Sequence, residues 1–404
     1  MKFVEGGICA PKGFQGAGVH CGIRGAGEKK DLSLIVSDLP ATAAGVYTTN
    51  KVYGAPIVVT RNHIADGKAT AIICNSGNAN TCAPNGVQVA EETCRLTGEA
   101  LQLPKEQVLV ASTGVIGEPL SIEPFKRGIP KLVQELSYTG SDSAAQGIMT
   151  TDTIKKEVAV EFAIDGVLCR IGGIAKGSGM IHPNMATMLG FITSDVAIEA
   201  GVLQKVLSET VKKSFNQISV DGDTSTNDMV LALANGMAGN AIIEKDDENL
   251  AVFKDAFEKV ACWLAKHMAT DGEGAGKLIT CKVAGADTLT HARSISRSVI
   301  SSDLLKAAVF GEDANWGRVL CAIGYAAGDF ATDNIDVVMA SEKGKVTVCK
   351  ESGYAPHSEE EAAEILSADE IEILVDMHSG NEAATAWGCD LTYDYVKING
   401  DYRS

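Results

Sequence analysis

The sequence is short of positive charge: Lys and Arg total 35 against 52 Asp and Glu, a formal net charge of −17 at pH 7. Nucleic acids and anionic membranes are both held by basic surfaces, so neither is an expected partner. A small anionic substrate is not excluded, because it needs only a local cluster of positive groups. No apolar run approaches the ~18 residues that a membrane span requires. The opening residues, Met1 to Gly7, also lack the unbroken apolar stretch of a signal peptide. The expected compartment is the cytoplasm. Metal-ligand spacing is missing as well. The 11 cysteines form no C-x-x-C pair, the nearest two being Cys74 and Cys82, and the seven histidines form no H-E-x-x-H. The expectation is no metal, no disulfide framework, and reduced, mostly buried thiols.

What is present is a chain of 404 residues, 45% apolar and 22% charged, long enough to bury a large core as two to three domains or as a pair sharing one core. Its 42 glycines exceed the usual share of about 7% and cluster in polar stretches, where backbone can approach a ligand closely. Regular elements lie between them. Leu250, Phe253, Phe257, Val260 and Leu264 recur at helical spacing, as do Val202, Leu203, Val206, Leu207 and Val211. Residues 158–162, 167–171, 278–283, 335–339, 346–349 and 371–375 read as strands. The class is therefore mixed α/β. Residues 358–368, rich in glutamate, read as a solvated helix or loop.

The most informative segment runs from Gly172 through Lys176-Gly177-Ser178-Gly179-Met180-Ile181-His182-Pro183-Asn184-Met185-Ala186-Thr187-Met188-Leu189. A glycine-rich, lysine-bearing loop leads through a proline turn into an apolar run, residues 185–192, read as a buried strand carrying Thr187 inward. On composition alone Thr187 is a core threonine, since threonine favours strands. A lysine in such a loop suits a carboxylate as a compact positive charge. Upstream, the apolar run Val108-Leu109-Val110 enters Ala111-Ser112-Thr113-Gly114, a strand end able to aim a hydroxyl and an N–H at a developing oxyanion. The stretch Met149-Thr150-Thr151-Asp152-Thr153 could cap a turn or helix. Asp271-Gly272-Glu273-Gly274-Ala275-Gly276-Lys277 fails as a P-loop: three residues, not four, separate Gly272 from Gly276, and Leu278 follows the lysine. Asp221, Asp223 and Asp228 lack calcium-loop spacing and read as tight turns.

The string from Lys176 to Leu189 resembles the signature of the ornithine acetyltransferase family, the glutamate N-acetyltransferases of the acetyl-cycling arginine pathway. Further similarity lies at Thr48–Lys51, Asn75–Asn80, Asp221–Asp228, Gly311–Arg318 and the C-terminal residues, so the resemblance spans essentially the whole chain. It implies an α/β sandwich related to self-processing aminopeptidases with N-terminal nucleophiles. It implies cleavage between Ala186 and Thr187 into an α chain, 1–186, and a β chain, 187–404, associating as α2β2. Thr187 is then the nucleophile, with its own new α-amine as base. Such an amine titrates near ~7.7–8.0, which suits it to that task. The family's oxyanion hole maps to Thr113 and Gly114, and its substrate contacts to Thr150, Thr153, Lys176, Thr187, Glu273, Asn399 and Ser404.

The implied reaction moves acetyl from N-acetyl-L-ornithine to L-glutamate, with no cofactor. The resemblance leaves two donor ranges, ornithine recycling alone or acetyl-CoA as a further donor, and the second is the expectation here. A rival reading keeps the nucleophile and uses water as acceptor, giving an aminopeptidase or amidase. Another is a non-catalytic amino-acid-binding protein, which would stay a single uncut chain.

Overall fold

The computed structural model describes residues 1–25, 27–182 and 188–401. Ala186, Thr187 and Ser404 lie outside the described residues. Two sheets organise the chain. The first has nine strands, in the order Lys2–Val4, Lys156–Ile164, Val167–Lys176, Leu189–Ser194, Met229–Ala234, Leu32–Tyr47, Lys68–Asn78 and Val108–Val115, with Phe14–Val19 also pairing Leu32–Tyr47. The second has seven, in the order Gly353–Tyr354, Gly344–Lys350, Asp336–Ser341, Glu370–Asp376, Leu278–Ala286, Glu382–Cys389 and Ile218–Ser219. Both mix parallel and antiparallel pairs, which periodicity could not foretell.

Helices cover both faces of the first sheet. On one face lie Ala200–Val211 and Glu248–Thr270, packed with Val160, Ile171 and Ile192. The longer helix buries all five of its periodic residues, Leu250, Phe253, Phe257, Val260 and Leu264. Its first turn is capped by Asp247, whose carboxylate accepts the Leu250 N–H at 3.1 Å. In the shorter helix Val202 is only half-buried while its four apolar partners go inside. The opposite face carries Ala55–His63 and Ser141–Ile148, packed against Ile35, Ile72 and Phe191. Leu289–Ile300 and Glu359–Leu366 pack with the second sheet. This is the layered α/β class.

All six strand-like runs fall in strands, with Ile335 just outside its own. Two expectations need amending. Glu359–Leu366 is not simply solvated: it buries Ala362, Ile365 and Leu366 beneath its glutamates. The strand expected over 185–192 begins at Leu189, and residues 185–187 lie outside the described residues. Both sides of the expected division at 186/187 contribute strands to one sheet: the strand ending at Lys176 pairs directly with the strand beginning at Leu189.

Candidate active site

Register assembles the site. Lys176, the last residue of its strand, lies opposite Leu189, and Leu189 pairs in parallel with Met229. The three strand ends thus meet two residues from Thr187 in sequence. On the far side of the sheet Thr113 and Gly114 stand opposite Ser76 and Gly77. Gly114 takes φ +128°, and a Cβ there would lie 2.3 Å from the Gly77 carbonyl carbon, so the position requires glycine.

A cleft opens at these strand ends. It is lined by Thr113, Gly114, Thr150, Lys176, Glu273 and Asn399, six of the residues singled out in the sequence, although up to 286 positions separate them. Thr151, Ser225, Thr226 and Asn227 line it too.

Thr153 does not line the cleft. Its backbone N–H donates to Asp271 at 3.0 Å, and its hydroxyl is bonded to the same carboxylate. It braces the wall of the cleft through Asp271, while Thr151 lines the cleft itself. That wall is a buried polar hub. Lys156, fully buried, donates to Asp152 at 2.6 Å, to the Gly177 carbonyl oxygen at 3.1 Å and to Asp271. Asp152 also accepts the N–H groups of Thr150 (3.0 Å) and Gly177 (2.8 Å). One carboxylate thereby orients the backbone of both the 150–153 stretch and the lysine loop. Burial alone would raise the Asp152 pKa, but the Lys176 and Lys156 ammoniums beside it outweigh burial and hold it well below the usual carboxylate range.

Lys176 is different from Lys156. It is 3% exposed, and its ammonium makes no hydrogen bond among the described residues. Burial lowers its pKa, with Asp152, Glu273 and Asp228 pulling the other way. It is a buried positive charge facing the cleft, suited to an incoming carboxylate.

Glu273 is placed by backbone on both sides. Its N–H donates to the Ser178 carbonyl oxygen at 3.0 Å, and the Ser178 hydroxyl donates to the Asp271 carbonyl oxygen at 2.7 Å. Gly179 leaves room for the carboxylate: a Cβ there would stand 2.2 Å from its Oε2. Asn399, on the C-terminal helix Tyr393–Asp401, donates its amide to Glu273 Oε2 at 2.8 Å. Lys277, the residue that invited a nucleotide reading, points its ammonium at the Leu366 carbonyl oxygen (2.6 Å) and Glu312 (3.2 Å).

The acidic string is more than tight turns. Asp221 accepts the N–H groups of Met180 (2.6 Å) and Ile181 (2.8 Å), fixing the backbone that leads out of the lysine loop. Asp228 accepts the Met188 N–H at 2.6 Å, fixing the backbone just before Leu189. The second oxygen of Asp228 is buried with no hydrogen-bond partner among the described residues. Burial pushes this carboxyl well above its ordinary value, against the Met188 N–H and the Lys176 charge. The crowding of Asp, Thr and Asn immediately before the apolar strand Met229–Ala234 marks a polar turn in the sequence, but not the Met188 partner.

Comparison with known proteins agrees over the full length. A family model, the ArgJ family, matches residues 15–404. The chain is 50% identical over 406 residues to the arginine biosynthesis bifunctional protein ArgJ of Symbiobacterium thermophilum, covering 100% of both. It is 47% identical over 405 residues to the protein of the same name from Caldanaerobacter subterraneus subsp. tengcongensis, again covering 100% of both. Among solved structures it is similar to the arginine biosynthesis bifunctional protein ArgJ of Bacillus halodurans, 45% identical with a TM-score of 0.51. That likeness covers 54% of this chain and 100% of the other.

Proposed function

The chain belongs to the ArgJ family, and from that premise we propose that it transfers an acetyl group from N2-acetyl-L-ornithine to L-glutamate in arginine biosynthesis, through an acyl-threonine formed on Thr187. The observation that carries this reading is the cleft itself. It gathers Thr113, Gly114, Thr150, Lys176, Glu273 and Asn399 at the strand ends that flank Ala186–Thr187 in sequence.

In the first event the Thr187 hydroxyl attacks the Ala186 carbonyl carbon, and the acyl group moves from nitrogen to oxygen. Water then hydrolyses the ester, freeing the Ala186 carboxylate and the Thr187 α-amine. Asp221 and Asp228, each holding backbone N–H groups beside the string, supply the rigid frame for this step.

In the transfer itself the α-amine takes the Thr187 hydroxyl proton as the oxygen attacks the acetyl carbonyl. Thr113 and Gly114 stabilise the oxyanion, a contribution worth about 3–4 kcal/mol for one such donor elsewhere. The intermediate collapses, the C–N bond breaks, and ornithine leaves with the proton. Glutamate's amine then attacks the acyl-threonine, returning the proton to Thr187 and releasing N-acetylglutamate. Lys176 receives the α-carboxylate common to both amino acids. Glu273 meets the ornithine ammonium, with Thr150, Asn399 and Ser404 completing the pocket. Thr153 acts through Asp271 as a positioning residue. Acetyl-CoA is a further donor to the same threonine, and two processed protomers associate as α2β2 in the cytoplasm.

N-terminal sequencing tests the scheme. Two polypeptides are expected, one beginning at Thr187, while Thr187→Ala stays whole and inactive. With N-acetylornithine supplied, N-acetylglutamate should form only when glutamate is added. A wild-type chain that stays uncut yet transfers acetyl would overturn the mechanism, and free acetate in place of N-acetylglutamate would make the enzyme a hydrolase. Acetyl-CoA with glutamate tests the second donor.

A further inference from the structure

A second cavity lies on the other side of residues 180–182. Met180 lines the active-site cleft, whereas His182 lines this one, together with Gln217, Arg293, Arg297 and Ser301. The helix Leu289–Ile300 buries Ala292, Ile295, Val299 and Ile300 and sets both arginines on the cavity, one helical turn apart. Like charges at i and i+4 repel. Neither guanidinium forms an ion pair among the described residues, although carboxylates outnumber basic side chains in this chain.

Arg297 is the stronger anomaly. Its Nε is buried with no hydrogen-bond partner among the described residues. Among the described residues its Nη2 reaches only the His182 carbonyl oxygen, at 3.4 Å. Burial, with no opposing charge, pulls its pKa down to about 10. A charge taken from water without a counter-charge is costly, and one placed beside a second like charge more so. The nearby hydroxyls do not compete for a ligand. Ser294 donates to the Ala327 carbonyl oxygen, Ser298 to that of Ala322 and Ser301 to that of Arg297. Among the described residues the unspent donors are the guanidinium N–H groups, whose planar fork matches a carboxylate or phosphate.

We propose that this cavity binds the oxyanion group of a small metabolite, phosphate or carboxylate, held between Arg293 and Arg297 and separate from the acetyl-transfer cleft. Its place beside the cleavage string gives the ligand a route to influence. The His182 carbonyl oxygen that meets Arg297 also accepts the Thr224 hydroxyl at 3.2 Å, and the His182 ring bonds the Ser219 hydroxyl at 2.9 Å. A bound anion draws Arg297 away from His182 and loosens that link.

The test is calorimetric titration of the full protein with inorganic phosphate and, separately, malonate, at constant ionic strength and neutral pH. Saturable binding is expected for at least one ion. Each of Arg293→Gln and Arg297→Gln should weaken it about 10-fold or more, the loss of a hydrogen bond between charged groups. Lys176→Met, which removes the cation of the other cleft, should leave it unchanged. The preferred ion assigns the source, phosphoryl or carboxylate. Absence of saturable binding by both ions, an affinity unchanged in either arginine variant, or one lost with Lys176→Met overturns the proposal. Without anion Arg297→Gln should melt no lower than wild type, which separates lost binding from lost folding.

Discussion

At the scale of single residues, the lysines 156 and 176 show how two buried ammoniums can differ in their partners. Both are buried, but Lys156 has three oxygen partners and Lys176 has no hydrogen bond among the described residues. Replacing Lys176 by Met should therefore separate function from stability. We expect KM for N-acetylornithine to rise about 10- to 100-fold, the value of a charged hydrogen bond, while the melting temperature holds or rises because an uncompensated buried charge is gone. Steady-state kinetics beside a thermal melt reads both. A lower melting temperature with unchanged KM would make Lys176 structural. Burial also lowers its pKa from the usual 10.5, so KM should climb on the alkaline side earlier than an exposed lysine would allow. Asp228 makes the complementary case. Asp228→Ala leaves the buried Met188 N–H without an acceptor, at a cost of about 1–3 kcal/mol. Self-cleavage should slow markedly on a denaturing gel while the melt shifts only by that amount. The resemblance of the lysine-loop string pointed to Lys176, which lines the cleft, but nothing in the sequence marked the bond between Asp228 and Met188. The two sit 40 positions apart, and the buried carboxyl exists only once two strands have paired.

At the scale of elements, the cleft depends on close approach between a loop and a turn. Gly179 passes so near Glu273 that an added methyl group would overlap the carboxylate. Gly179→Ala should push the Glu273 side chain off its place and off Asn399. We expect at least a 10-fold rise in KM for N-acetylornithine with cleavage intact, because the frame at Asp221 and Asp228 is untouched. A variant that no longer cuts itself would show instead that the loop positions the scissile bond. Elements were the most readable level of this chain. Helix Glu248–Thr270 buries the apolar stripe its spacing announced, and the strand runs fell where β-branched residues cluster. Strand order and direction were not readable. Leu189–Ser194 runs parallel to Met229–Ala234 through a crossover that holds the helix Ala200–Val211, whose period was readable, but nothing in the sequence said that these two strands are neighbours. Thr153 escaped for the same reason, its partner Asp271 being 118 positions distant.

At the scale of the molecule, a cut at Ala186–Thr187 falls inside a sheet, and this has a physical consequence. The strand ending at Lys176 and the strand beginning at Leu189 stay paired along their length. Lys156 and Thr153 on one side of the cut remain bonded to Asp271 on the other. The two chains should therefore elute as one species in native buffer and separate only on unfolding. Acid should test the hub that joins them. The folded pKa of Asp152 is lowered, so its contribution is complete above the unfolded value of about 3.9. It is lost as pH falls through the lower folded value, because the unfolded chain then binds the proton more readily than the folded one. Urea unfolding of wild type should show stability dropping steeply below about pH 4. Asp152→Asn should be about 3–5 kcal/mol less stable at pH 7, since it strands Lys156 and part of its buried charge, and its stability should fall less steeply below pH 4. Equal acid slopes in the two proteins would mean that the hub does not set the acid limit, and that the sheet alone keeps the halves of the active site together.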